Sequence, residues 1–189
     1  MNKLLFALVS VLSMGTLTSC HQLKMSNEEA QALVTETLQL PRHFSSKITA
    51  SGGFDDYSDQ LEQAGYITKT GGFIYGYTLS VTDKGRPYLT KTGKDAMYGT
   101  TILYMKSMDV AFGEITGIAI DKEQQTATVR FTLLPTNITP IGKMMEQNAI
   151  RGPKSGELVF KKFENGWQLA RTDRQPVQIV QQIVWGTHD

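Results

Sequence analysis

The alternation of apolar and polar positions is sharpest just beyond the middle of the chain. Ala127, Val129, Phe131 and Leu133 alternate with Thr126, Thr128, Arg130 and Thr132. This period of two predicts a strand from Thr126 to Leu134 with one face buried and one in water. Gly113 to Ile120 leads into it across the polar turn Asp121-Lys122-Glu123-Gln124, and Ile102 to Met105 is a further short strand candidate. Glu157 to Phe163 and Trp167 to Arg171 flank Glu164-Asn165-Gly166. A three-residue loop with Gly166 left-handed would set Phe163 across from Trp167. Gln175 to Trp185 reads as a last strand.

The first half carries a different rhythm. Ser26 and Glu29 form a capping-box pair, and Ala30, Leu33, Val34, Thr37 and Leu38 follow at helical spacing. Pro41 is expected to stop this helix near Leu40. Phe54 to Ala64 predicts a second helix, with Tyr57, Leu61 and Ala64 on one side and Gly65 as its cap. Tyr66-Ile67-Thr68, a turn at Gly71-Gly72 and the run Phe73 to Val81 then read as a hairpin, closed by Thr82 to Pro87. Thr139-Pro140 opens a short helix whose inner side holds Ile141, Met144 and Met145. The fold class is therefore α+β: N-terminal helices followed by an antiparallel meander with a short helix.

The first twenty residues follow another order. Lys3 is followed by an apolar run from Leu4 to Leu12, broken only by Ser10, and then by the small residues Ser13, Gly15, Thr16, Thr18 and Ser19. This is the charged, apolar and small-residue order of a secretory signal. The run falls well short of the roughly 20 residues that span hydrocarbon. Leu17-Thr18-Ser19-Cys20 resembles the lipobox of bacterial lipoproteins, in which a branched apolar residue and two small ones precede a cysteine. The resemblance implies cleavage between Ser19 and Cys20, a diacylglyceryl group on the Cys20 thiol, and a new amine open to acylation. The chemistry agrees, because a thiolate is a natural nucleophile for lipid attachment and two or more acyl chains anchor stably where one does not. Residues 1–19 are then a signal peptide, 20–25 a lipidated anchor with a short tether, and 26–189 a single α+β domain with a candidate sub-boundary near 95–100. By analogy within the lipoprotein family, His21 after the cysteine favours an outer-membrane destination facing the periplasm.

Composition adds constraints. The chain has 189 residues, 19 basic and 18 acidic, and one cysteine. Removal of residues 1–19 takes Lys3 and no acid, so the remainder is balanced in charge. That balance argues against nucleic acid as a partner. With Cys20 acylated, the folded part has no thiol for disulfides, metal or catalysis.

The segment Leu61-Glu62-Gln63-Ala64-Gly65-Tyr66-Ile67, followed by Leu79-Ser80-Val81-Thr82-Asp83-Lys84-Gly85, resembles a winged-helix pattern. There a helix ends in such an "L-x-x-A-G" run, a hairpin forms the wing, and the "T-x-K-G" turn starts a further helix. The resemblance implies basic contacts at Lys69, Lys84, Arg86, Lys91 and Lys94. The helix that would read DNA carries Asp55, Asp56, Asp59 and Glu62 instead. These acids suit a helix dipole better than a cation, because the glycine and closing glutamate of a calcium loop are absent. His21, His43 and His188 have no metal-ligand partner at helical or hairpin spacing. No metal or cofactor is expected.

From Lys84 to Lys94 the chain has four basic residues, Tyr88 and no acid. Lys84, Arg86, Tyr88, Lys91 and Lys94 are the candidate surface contacts, for anionic headgroups or glycan beside the short tether. No nucleophile elbow or phosphate loop is present. The function expected is a membrane-anchored envelope lipoprotein, non-enzymatic, that binds membrane lipid through Cys20 and another envelope protein through its domain. Two alternatives stand beside it. An envelope enzyme acting on glycan or lipid would show a cleft with facing carboxylates. An apolar-ligand carrier would enclose a dry pocket.

Overall fold

The Ser26 hydroxyl accepts the Glu29 N–H at 3.1 Å, starting α1 (Asn27–Leu38) at the expected place. The helix ends at Gln39, which is left-handed (φ 55°). Ala30, Val34 and Leu38 line its buried side, as their spacing predicts. The structure, a computed structural model, describes residues 23–49, 56–72, 76–96, 99–146, 149–170 and 172–186. The signal, the lipobox and Cys20 lie outside the described residues.

After α1 come β1 (Arg42–Ile48), α2 (Asp56–Gln63), β2 (Ile67–Gly72), β3 (Gly76–Val81), β4 (Leu89–Lys94) and β5 (Thr101–Asp121). Then follow β6 (Thr126–Thr136), α3 (Pro140–Met145), β7 (Lys154–Phe163), β8 (Gly166–Leu169) and α4 (Pro176–Trp185). Among the described residues, β1-β5-β6-β7-β8 form one antiparallel sheet in that order, with β4 also on β5, while β2 and β3 pair separately. The chain is thus α+β with antiparallel sheet predominating. The meander β5 to β8 matches the pattern of the second half.

Ala127, Val129, Phe131 and Leu133 are all fully buried on the inner face of β6. Five differences from the pattern are informative. First, 175–185 is the helix α4 and not a strand. Its β-branched residues resemble strand composition, but Val180 and Val184 are buried four apart. Pro176 occupies the first turn, and the Gln178 side chain accepts the Gln175 N–H at 2.8 Å. Gly156 lets α4 approach the sheet, because a Cβ there would stand 2.7 Å from Ile183 and 2.8 Å from Phe131.

Second, the short strand at 102–105 and the strand at 113–120 are parts of one 21-residue strand, β5. Its register against β1 passes from Phe44↔Met108 to Ser45↔Lys106, leaving Ser107 as an extra residue. Such a bulge shifts the alternation and hides the continuity of the strand. Third, β1 and β4 were not expected. β1 alternates inward through Phe44, Ser46 and Ile48, only two of them apolar, and β4 is an exposed edge. Register with β5 makes both into strands. Lys94↔Thr101 pairs directly across the 95–100 segment.

Fourth, Phe163 faces Gly166 while Trp167 faces Lys162. This register keeps Trp167 inside with Phe160 and turns Phe163 outward to 45% exposure. Fifth, Gly72 pairs with Gly76, so Gly71 and Gly72 belong to β2 and are not the turn. After Thr82 the chain makes only a three-residue 3-10 turn, Arg86–Tyr88, before β4, and not the helix that the winged pattern implies.

Two apolar clusters lie along the inner side of the sheet. The larger joins α1, α4, Phe44, Met108, Val110 and the meander. The smaller joins Ile48, Leu61, Tyr66, Ile67, Leu79, Leu103, Met105 and Ile141. The bulge at Ser107 stands between them. There β4 has left the edge of β5 and β6 has not yet joined it. The first turn of α3 fills the gap. The Thr139 N–H donates to the Ser107 carbonyl at 2.9 Å, and its hydroxyl lies 2.7 Å from the Lys106 carbonyl. Gly142 packs so closely that a Cβ would stand 2.2 Å from the Ser107 oxygen.

Candidate functional site

Just past the bulge, Asp109 gathers the most concentrated polar network among the described residues. His43 Nδ1 lies 2.5 Å from Oδ1, Lys106 Nζ lies 2.9 Å from the same oxygen, and Asn137 Nδ2 donates to Oδ2 at 2.9 Å. The residue is only 5% exposed. Burial by itself would raise its pKa. Hydrogen bonds from His43, Lys106 and Asn137, with the Lys106 charge, outweigh it and bring the carboxyl from 3.8 down to about 2. An anionic carboxylate accepts only, so Nδ1 carries the His43 proton. The imidazole is 72% exposed and lines neither of the cavities described below. The network fixes one charge and orients one ring. A carboxyl held so far down is no proton donor near neutral pH.

On the inner side of β1, Glu146 closes the end of α3. One carboxylate oxygen accepts the Ser46 hydroxyl at 2.7 Å, and the other accepts the indole N–H of Trp185. Beside it is an open cleft of about 320 Å³, lined by Ser46, Lys47, Glu146, Gln182 and Trp185 among others. Amide, hydroxyl and ammonium groups suit it to hydrogen-bonded polar groups. Among the described residues its lining holds one carboxylate and no facing acid pair.

At the far end of the meander, Leu23, Lys24, Lys161, Lys162, Phe163 and Glu164 surround a groove of about 650 Å³. Leu23 and Met25 pack against the larger core, so the chain leading into α1 is already docked there. Lys162 Nζ lies 5.2 Å over the Trp167 ring, and Lys161 Nζ lies 6.0 Å from the Phe163 ring. With four charged side chains in its wall, the groove is not the dry apolar enclosure a lipid carrier needs.

The expected surface contacts fall elsewhere. Lys84 caps α2, donating to the Ala64 carbonyl at 2.7 Å, with Nζ 4.5 Å from the Tyr66 ring. Arg86 pairs with Asp83 at 3.0 Å, and Tyr88 packs edge-on against Tyr66 in the smaller core. Lys91 lies over the Tyr104 ring, and Lys94 is exposed at the end of β4. Lys91 and Lys94 lie on β4 beside the N-terminal part of β5, and Lys84 and Tyr88 lie on Tyr66 in the smaller core, whereas Leu23 lies by the hairpins at the other end of β5. Lys69 is engaged by Asp59. Among the described residues no group of three or more His, Cys, Asp and Glu could hold a metal ion. None of the described helices is long and apolar enough to cross a membrane.

Asp109 and Glu146 did not emerge from the sequence. A signal for Asp109 was present: an acid three residues after Lys106, inside the largely apolar run Ile102 to Phe112. Glu146 had none, because its partners come from β1 and α4. The chain matches no protein-family model, no curated protein and no solved structure.

Proposed function

We propose that this chain is a lipid-anchored envelope protein, held to the outer membrane through an acylated Cys20, whose folded part is a non-enzymatic binding module. The observation that carries the reading is the order of residues 1–20: a charge, a short apolar run, small residues, then Leu17-Thr18-Ser19-Cys20. Two features are consistent with a module held near a membrane. Leu23 and Met25 dock on the core, so only His21 and Gln22 separate Cys20 from docked chain. The Glu146 cleft is a groove for a polar partner group. Growth with a clickable fatty acid tests the anchor. The wild-type chain takes up label and shifts to the mass of a form beginning at Cys20. Cys20→Ala takes up none and keeps its apolar N-terminus. Unlabelled wild-type protein with Met1 in place would overturn the proposal.

A further inference from the structure

The groove at the end of the meander lies beside the point where the anchor enters the fold. The geometry points to the β7–β8 hairpin end, Phe163 with Lys161 and Lys162, as a second contact that seats the domain on the bilayer holding its lipid. This rests on the lipid-anchor reading and names the surface that meets the membrane.

Three observations carry it. Leu23 lines the groove with Phe163, and Cys20 is three residues earlier. Three extended residues span at most about 11 Å. The polar layer of a bilayer is roughly 5–8 Å deep on each side, so acyl chains buried at Cys20 keep the groove within that layer or a few ångströms above it. Next, Phe163 is 45% exposed at a strand end, where the register has turned it out of the core. An aromatic ring exposed to this extent in water gains from the interface. Finally, among the described residues Lys24, Lys161 and Lys162 line the same groove against one acid, Glu164. Their long stems can lie along the ring while the ammonium groups reach phosphate. The exposed turn Asp121 to Gln125 adjoins, and Lys162 N–H bonds the Gln125 carbonyl. Its Asp121 and Glu123, against Lys122, leave one net negative charge that offsets part of this charge, so the ring supplies much of the contact.

The test uses the acylated full chain in vesicles of mixed zwitterionic and anionic phospholipid. Cys20 is the only native cysteine, so acylated wild-type protein takes up no thiol dye. Phe163→Cys and, on exposed β4, Thr92→Cys are each labelled with a polarity-sensitive dye and quenched by headgroup-level nitroxide lipid. The dye at 163 is expected to be quenched several-fold more strongly than the dye at 92. A label-free arm compares wild type with Phe163→Asp by amide exchange on the same vesicles. Residues 160–168 should exchange several-fold more slowly in wild type, with β4 alike in both. Equal quenching at the two sites, or equal exchange in the two proteins, would overturn the inference while leaving the anchor intact. Dye uptake at Cys20 in wild type would instead overturn the anchor, and this surface with it.

Discussion

The two cores strung along β5 are built from different material. The larger is closed by α1 and α4 over a four-strand meander, and its β6 residues Ala127, Val129, Phe131 and Leu133 are all completely buried. The smaller is assembled from α2, the separate β2–β3 hairpin, β4 and α3 against the first residues of β5. One strand serves both, and the bulge in its pairing with β1 lies at Ser107, between them. The difference teaches that regular alternation builds the first core, while the second depends on short pieces brought together by a bulge and one helix turn.

Substitution within each core should separate them. Phe131 is fully buried against Gly156, which has no side chain to move into the cavity its truncation would leave. Phe131→Ala is expected to cost about 3–5 kcal/mol in denaturant unfolding. Leu61→Ala should cost about 2–3 kcal/mol, because fewer elements close around it. Amide exchange sharpens the contrast. Leu61→Ala should release β2 and β3 while β6 and β7 stay protected. Equal loss of protection in both regions would show a single cooperative core.

How much was legible in the sequence follows the same division. In the larger core, period-two alternation in Thr126 to Leu134 located β6, and the Ser26 cap located α1, because each signal is local. The register of β7 on β8 was not legible. Whether Phe163 or Trp167 turns inward depends on the space left by α1 and α4. β4 has almost no apolar alternation, so only β5 reveals it. At 175–185 composition and period disagreed, and burial on one face decided for the helix. The candidate sites show the same limit. The lipobox is contiguous, whereas the partners of Asp109 and Glu146 come together only through register and helix placement.

The joint between the cores is itself breakable. Gly142 meets the Ser107 carbonyl, and a methyl group there would stand 2.2 Å from a backbone oxygen that cannot swing aside. Gly142→Ala should cost about 2–3 kcal/mol, toward the upper part of the overpacking range. Unlike Leu61→Ala, it should loosen both cores, because Thr139 and α3 hold the bulge from which each departs. If only the smaller core loses exchange protection, α3 belongs to that core alone and is no joint.

Acid offers the gentlest probe of the same division. Asp109 ties β1 through His43, and the end of β6 through Asn137, to β5 on the larger-core side of the bulge. Its folded pKa of about 2 lies below the unfolded value near 3.9. A depressed carboxylate stabilises the fold fully above its unfolded pKa, and that share disappears as pH falls from about 4 toward 2. The difference amounts to about 2 kcal/mol, reduced toward 1 because His43 is open to solvent. Asp109→Asn should therefore lose about 1–2 kcal/mol at neutral pH and show a flatter stability curve between about pH 4 and 2 than wild type. Exchange on the wild-type chain over that interval should rise first in β1 and at the 136–137 end of β6, before β2 and β3 respond. Were β2 and β3 to open first, the charge network would not be what holds the larger core to the joint, and the bulge would have to be stabilised from the α3 side alone.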